Sequence, residues 1–433
     1  MKRYEKYKPS GVEWIGEIPK HWETNKLKYR DDVIMGQAPS SDDYNYSGIG
    51  LPFIQGNAEF KKLHPEHRLW CEAANKVAIA DDILVSVRAP IGAVNIADQK
   101  IGIGRGLCAI RAKQDICKFL YYYFLILNEE LNSIGTGSTY TAISAEEVKN
   151  VFLITPPPSE QTAIASFLDE KTAQIDTLLE NKQKLIELLK EERTAIINHA
   201  VTKGVNSKAK LKPSGIEWLG DMPQHWEVKK LKHIKAQIPN SFVDGPFGSN
   251  LKSIHFVEDG DVYVVESGFI TSGRFVMKKF KTITKEHFET IKRSACKGDD
   301  IIIAKIGANY GMSGILPELD KEAVVSGNSL KLTVSEKHDR KFIHFSLSNL
   351  KVRGAFDLIV NSTAQPALSL GELNDLALAV PPLEEQAFIV SYIETETQKI
   401  DAAISKIEKE IELLQEYRTA LISEVVTGKI KVI

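Results

Sequence analysis

Towards the C-terminal end of the chain, apolar side chains recur every seven residues at Ile393, Ile400, Ile407, Leu414 and Leu421. Ile404, Ile411 and Val425 follow four places after three of them. Such a two-position seam predicts a long amphipathic helix whose stripe needs a facing helix. An earlier stretch repeats the pattern with Leu168, Ile175, Leu189 and Ile196, plus Leu179 and Ile186, but sets Lys182 where the later copy has Ile407. Each predicted helix has about 40 residues and so runs roughly 60 Å. That exceeds the usual span of a helix packed on its own domain and points to a coiled coil. The nearest partner for each seam is the other copy. Prolines at 156–158 and 381–382 precede the two stretches, ending the strand before and opening the helix after.

The repetition extends further. KPSGVEWIGEIPKHWE, from Lys8, returns as KPSGIEWLGDMPQHWE, from Lys212, with 11 of 16 positions identical. In the helical stretches Gln161/Gln386, Ile175/Ile400, Asp176/Asp401, Arg193/Arg418 and Thr202/Thr427 match at an offset of 225. The order is opening motif, body, tail, written twice, and repeats of this kind govern the fold. Short β-branched runs bounded by turn residues predict strands within ADDILVSVRAPIGAVNIA and VYVVESGFI, among others. Helices are predicted near Lys118–Asn132 and His338–Leu350. The expectation is an α+β chain: two mixed α/β domains (1–158 and 204–380), each followed by a long helix (159–203 and 381–433). The helices form an antiparallel coiled coil, giving a pseudo-twofold internal repeat.

Composition changes this picture little. Hydrophobic residues make up 43% of the chain, enough for a core in each domain. The longest apolar run, Phe119–Leu127, is too short to span a bilayer, and the N-terminal MKRYEKYKPS has no signal-peptide core. The four cysteines form no CxxC pair, which indicates neither zinc nor a disulfide framework and suits a reducing cytoplasm. Net charge is −2, but acid concentrates in the two helical stretches. The rest holds 44 basic and 39 acidic side chains, a balance that permits DNA binding.

Candidate catalytic groups fail one by one. Asp81 and Asp82 open one strand, and Asp299 and Asp300 open its counterpart. A nuclease would set Asp299 or Asp300 against Lys305 around a metal, yet the first domain has Val87 and Arg88 at that place, so a polar strand entrance is the better reading. GIGRG (Gly102–Gly106) precedes a strand-like LCAIRA rather than a helix, which is wrong for a dinucleotide fingerprint. No GxxxxGK[ST] occurs, nor any Asn- or Asp-Pro-Pro-aromatic segment of the kind that serves adenine methylation. HExxH spacing is also absent. No catalytic or metal-binding residue is expected in this chain.

Within the opening motif, Trp14, His21, Trp22, Trp218, His225 and Trp226 persist while the bodies diverge. A surface kept in two copies suits one partner met twice, and tryptophans favour such contacts. Taken with DGPFGSNLK (Asp244–Lys252), the GST and NST turns (Gly137–Thr139, Asn361–Thr363) and PPxxEQ before each helix, the chain resembles the specificity (S) subunit of Type I restriction-modification systems over essentially its whole length. The resemblance implies that each body is a target-recognition domain reading half of an interrupted, asymmetric double-stranded DNA site. It implies as partners two modification (adenine methyltransferase) subunits and restriction subunits. Catalysis, S-adenosylmethionine, ATP and Mg would then reside in the partners, with no cofactor in this chain and no membrane association. Polar and basic loop residues are the candidate DNA contacts: Ser40, Arg88, Arg105 and Tyr140 in the first domain, and Asn250, Lys252, Asn309 and Gln365 in the second. The alternatives are a coiled-coil adaptor between proteins and the recognition half of another split restriction-methylation enzyme.

Overall fold

The computed structural model describes residues 2–134, 142–271, 273–307, 309–359 and 367–432. It divides into two compact units, Met1–Lys184 with Ile407–Ile433, and Leu185–Lys406. The two long helices, Pro158–Lys203 and Leu383–Val426, begin at the proline runs. Each unit therefore contains half of each helix. In the first unit the halves run antiparallel, with Arg418 Nε donating to Asp176 Oδ1 at 3.0 Å and Lys182 paired with Glu410. In the second, Arg193 Nε donates to Asp401 Oδ1 at 3.1 Å. The seam expected from the sequence is the buried one: Leu168, Ile175, Ile186, Ile393, Ile400, Ile407 and Leu421 are buried. Lys182 does not break it: the side chain is only partly exposed and its ammonium pairs with the Glu410 carboxylate.

The bodies share one sheet topology. In the first, strands Val94–Ile96, Ile83–Ser86, Leu107–Arg111 and Asp32–Met35 lie in that order, all antiparallel. In the second the order is Ser313–Ile315, Ile301–Ala304, Ser329–Leu332 and Phe242–Asp244. Each body has another sheet built around one parallel pair, Leu51–Ile54 with Ile101–Ile103 and Val262–Val265 with Glu322–Val325. Buried side chains such as Leu84 and Ala109 in one, and Ile302 and Val325 in the other, fill the space over these sheets. Helices Cys117–Ile126 and Arg340–Val352 bring each body against the long helices.

Each opening motif folds as a hairpin followed by a strand. Tyr7–Pro9 pairs with Glu17–Pro19, then Glu23–Lys26 pairs with Phe152–Thr155, the strand that leads into the long helix. Leu211–Pro213, Asp221–Pro223, Glu227–Lys230 and Ala377–Val380 repeat the arrangement. A long helix ends against each of these hairpins: Gly204 and Gly428 share a positive φ of +74°, where glycine closes a helix without strain. A Cβ on Gly428 would come within 2.9 Å of the Trp22 ring and 2.4 Å of Pro19.

Candidate nucleic-acid interface

In the first unit, loops meet beyond one end of the four-stranded sheet. Gly36 N–H donates to the Leu107 carbonyl at 2.9 Å, Gln37 N–H to Ile103 at 3.0 Å, and Val87 N–H to Gly106 at 2.9 Å. The approach is close enough that a Cβ on Gly36 would lie 2.1 Å from the Gly104 carbonyl oxygen, so only glycine fits. Segments carrying Ser40, Arg88 and Arg105, all exposed, are thereby gathered at one edge. Exposed Gln37 and Gln55 join them. They lie in GQAPSSDDYN and GLPFIQGNAEF, turn-rich segments in which these polar side chains were the available signal. Tyr140 and the GST turn lie outside the described residues.

The second unit builds the equivalent edge. Gly245 N–H donates to Ser329 at 3.0 Å and Lys305 N–H to Asn328 at 2.8 Å. A Cβ on Gly245 would sit 2.0 Å from the Ser326 carbonyl oxygen. Asn250 and Lys252 are exposed on the loop that follows, Asn309 is exposed nearby in sequence to Lys305, and Asn328 is a further exposed amide not singled out from the sequence. Two imidazoles hold the loop: His255 Nδ1 accepts from the Lys252 N–H at 3.1 Å, and His287 Nε2 lies 2.9 Å from the Asn250 carbonyl. Gln365 and the NST turn lie outside the described residues.

For Trp22 and Trp226, the expectation of a partner surface requires a correction. Trp22 and Trp226 are 0% exposed and have no surface to offer a partner. Trp22 Nε1 donates to Glu160 Oε2 at 3.0 Å while His21 Nε2 lies 2.6 Å from Glu160 Oε1. Trp226 and His225 repeat this on Glu385 at 3.1 and 2.7 Å. Both copies of the motif clasp the first turn of a long helix. A carboxylate there also meets the positive end of the helix dipole. Burial would raise the Glu160 pKa, but hydrogen bonds from His21, Trp22 and Tyr4 outweigh it and hold the group below the usual range. His21 and His225 keep about half of their side chains exposed. Trp14 is 38% exposed, whereas Trp218 is partly buried and donates to the Ala377 carbonyl.

The matched glutamines of PPxxEQ serve the same junction. Gln161 accepts from the Ile116 N–H at 2.7 Å and donates to Asp115 and the Pro156 carbonyl. Gln386 accepts from the Asp339 N–H at 2.8 Å and donates to the Pro381 carbonyl. Each ties the start of a long helix to the start of the body helix.

Asp82 and Asp300, at the strand entrances, are held by internal bonds. Asp82 accepts from the Ile79 N–H and from Arg111, and Asp300 from the Lys297 N–H and Thr333. Asp81 and Asp299 occupy matching turns with φ of 70° and 72°. Lys305 pairs with Asp244 instead. Among the described residues no group of three His, Cys, Asp or Glu side chains is placed to hold a metal, and no helix is long and apolar enough to cross a membrane.

A family model described as the Type I restriction modification DNA specificity domain matches twice, at residues 19–188 and 223–413, one match for each copy of the repeat. The chain belongs to that family. It is 26% identical, over an alignment of 436 positions covering 96% of the chain and 95% of the relative, to the Type I restriction enzyme MjaIX specificity subunit of Methanocaldococcus jannaschii. It is 38% identical over 199 residues to the putative MjaX specificity subunit of the same organism, covering 45% of this chain and 46% of that one. Among solved structures, a chain described under assembly and conformational transition of the type I R-M system superposes with a TM-score of 0.74 at 14% identity, covering 95% of this chain and 99% of the other. The HsdS subunit from Thermoanaerobacter tengcongensis gives 0.56 at 14% identity, covering 95% and 98%. These likenesses establish the fold. As a Type I specificity subunit, the chain carries its family match on both bodies despite their different loops.

Proposed function

We propose that this specificity subunit reads an interrupted, asymmetric duplex site, one half with each body, and recruits two adenine-methylating modification subunits together with restriction subunits. The observation that carries the proposal is that two bodies with one topology present unlike loops at the same sheet edge. Shared scaffolding suits a constant task, and unlike edges suit two different half-sites. The chain itself performs no chemistry in this reading; S-adenosylmethionine, ATP and Mg are used by the partners, in the cytoplasm. Its family supports this over a protein adaptor.

The test is to purify the full chain with a cognate modification subunit and follow methyl transfer to random duplex. Transfer should require both proteins, and label incorporated by the chain alone would overturn the non-catalytic role. Replacing residues 204–380 by the corresponding domain of a relative should change one half of the methylated sequence. A hybrid that altered both halves would show that the bodies read jointly.

A further inference from the structure

The two reading edges differ beneath the loops. In the first body the loop leaves its strand at Met35–Gly36, and Val87 follows the strand Ile83–Ser86. In the second it leaves at Asp244–Gly245, and Lys305 stands in the place of Val87. Both charged side chains of that pair are 9% exposed, with Lys305 Nζ 3.1 Å from Asp244 Oδ2. Arg293 donates to the other carboxylate oxygen at 3.1 Å, and Ser294 Oγ to the Asp244 carbonyl at 2.9 Å. Burying an ammonium is costly even when it is paired, and the first body builds the same sheet edge without one. The charge therefore serves something that the topology does not require.

That something lies directly above it. Lys305 Nζ sits 4.3 Å from the centroid of the Phe247 ring, within reach of cation–π attraction, and Phe247 is 63% exposed. Gly245, pressed against the Ser326 carbonyl, pins the base of the loop. A large apolar ring is thus held by one face while the rest projects to solvent, three residues before Asn250.

We propose that Phe247 is an apolar contact to a thymine C5-methyl in the half-site read by the second body, and that Lys305 is the positioning residue that holds the ring outward. In the major groove that methyl is the apolar mark of a base pair. The inference rests on the DNA-reading function proposed above.

The experiment uses the full chain with its modification subunit and a duplex whose site has been determined by sequencing methylated DNA. Thymines of the second body's half-site are replaced singly by deoxyuridine, which lacks the methyl. For the wild type, one replacement should weaken binding roughly fourfold, the effect of one buried methyl. Phe247→Ala should bind thymine and uracil duplexes equally while keeping discrimination in the other half-site. The double variant Asp244→Met with Lys305→Val installs the first body's pair without stranding a buried charge, and it should shrink the uracil effect while its melting temperature and its other half-site stay intact. An undiminished uracil effect in Phe247→Ala overturns the inference. So does an even loss of affinity on every duplex, the mark of a ring wedged between base steps. A wild type with no sequence-specific binding would instead overturn the DNA-reading function itself.

Discussion

Set side by side, the two units repeat their ion pairs along the long helices and differ in how the body helix packs beside them. Lys118–Asp169 in one matches Lys341–Glu394 in the other, and Arg418–Asp176 matches Arg193–Asp401. Between these anchors the body helices diverge: Tyr121, Leu125 and Ile126 correspond to His344, Ser348 and Asn349. In the first body Tyr121 and Tyr122 fill the interior, their rings 5.3 Å apart. In the second, His344 lies 3.1 Å from Ser313 Oγ beside a cavity of about 760 Å³ that also touches Arg193 and Asp401. The charged pairs are repeated, while the side chains packed between them need only fill the space or be hydrogen-bonded in some way.

The equivalence of the clasps is the first thing to break. Trp22→Ala and Trp226→Ala should each cost about 3 to 5 kcal/mol, read by denaturant unfolding. A large loss for one and a small loss for the other would mean that the two opening motifs do different work.

The buried histidine should sharpen the contrast through pH. Burial pushes the His344 pKa from an ordinary 6.5 down to about 4. The native state then stays neutral while the unfolded chain takes up a proton. Stability is accordingly full above pH 6.5 and falls as pH drops towards 4, by about 3 kcal/mol at most. His344→Tyr, the first body's residue, should flatten that part of the stability profile. An unchanged slope would assign the acid sensitivity to other groups.

Smaller and equal effects are expected for Gln161→Leu and Gln386→Leu. Each strands a backbone N–H at the start of a body helix, at about 1 to 3 kcal/mol, again by denaturant unfolding. The smallest effect belongs to Lys182→Ile, which copies Ile407. Because the Lys182–Glu410 pair is partly exposed, the change should stay within about 1 kcal/mol in either direction. A larger loss would make that pair a specific lock of the first unit.

The long helices and the duplicated order were legible because periodicity and identity are local properties of the string. The helix starts at Pro158 and Leu383 and the seam from Leu168 to Leu421 follow from them directly. The strands were legible in type, since β-branched runs between turn residues have few other uses. Trp22 and Trp226 misled: they read as partner anchors because a carboxylate 138 residues away, Glu160 beneath Trp22, leaves no mark near them in sequence. Ser40, Arg88 and Arg105 were identifiable as loop residues, but their meeting at one edge depends on strand pairing across Asp32–Met35, Ile83–Ser86 and Leu107–Arg111.

By itself, then, the sequence determined the repeat, the two helices and the membership of residues in strands and turns, because each depends on neighbours a few positions apart. Tertiary structure alone decided that Glu160 and Glu385 are the hubs of the two clasps and that Asp82 and Asp300 are tied up in internal bonds. It also decided that Lys305 lies buried under Phe247. Those outcomes turn on which distant groups share a desolvated space, and a buried charge or indole N–H takes whichever partner the fold brings within about 3 Å.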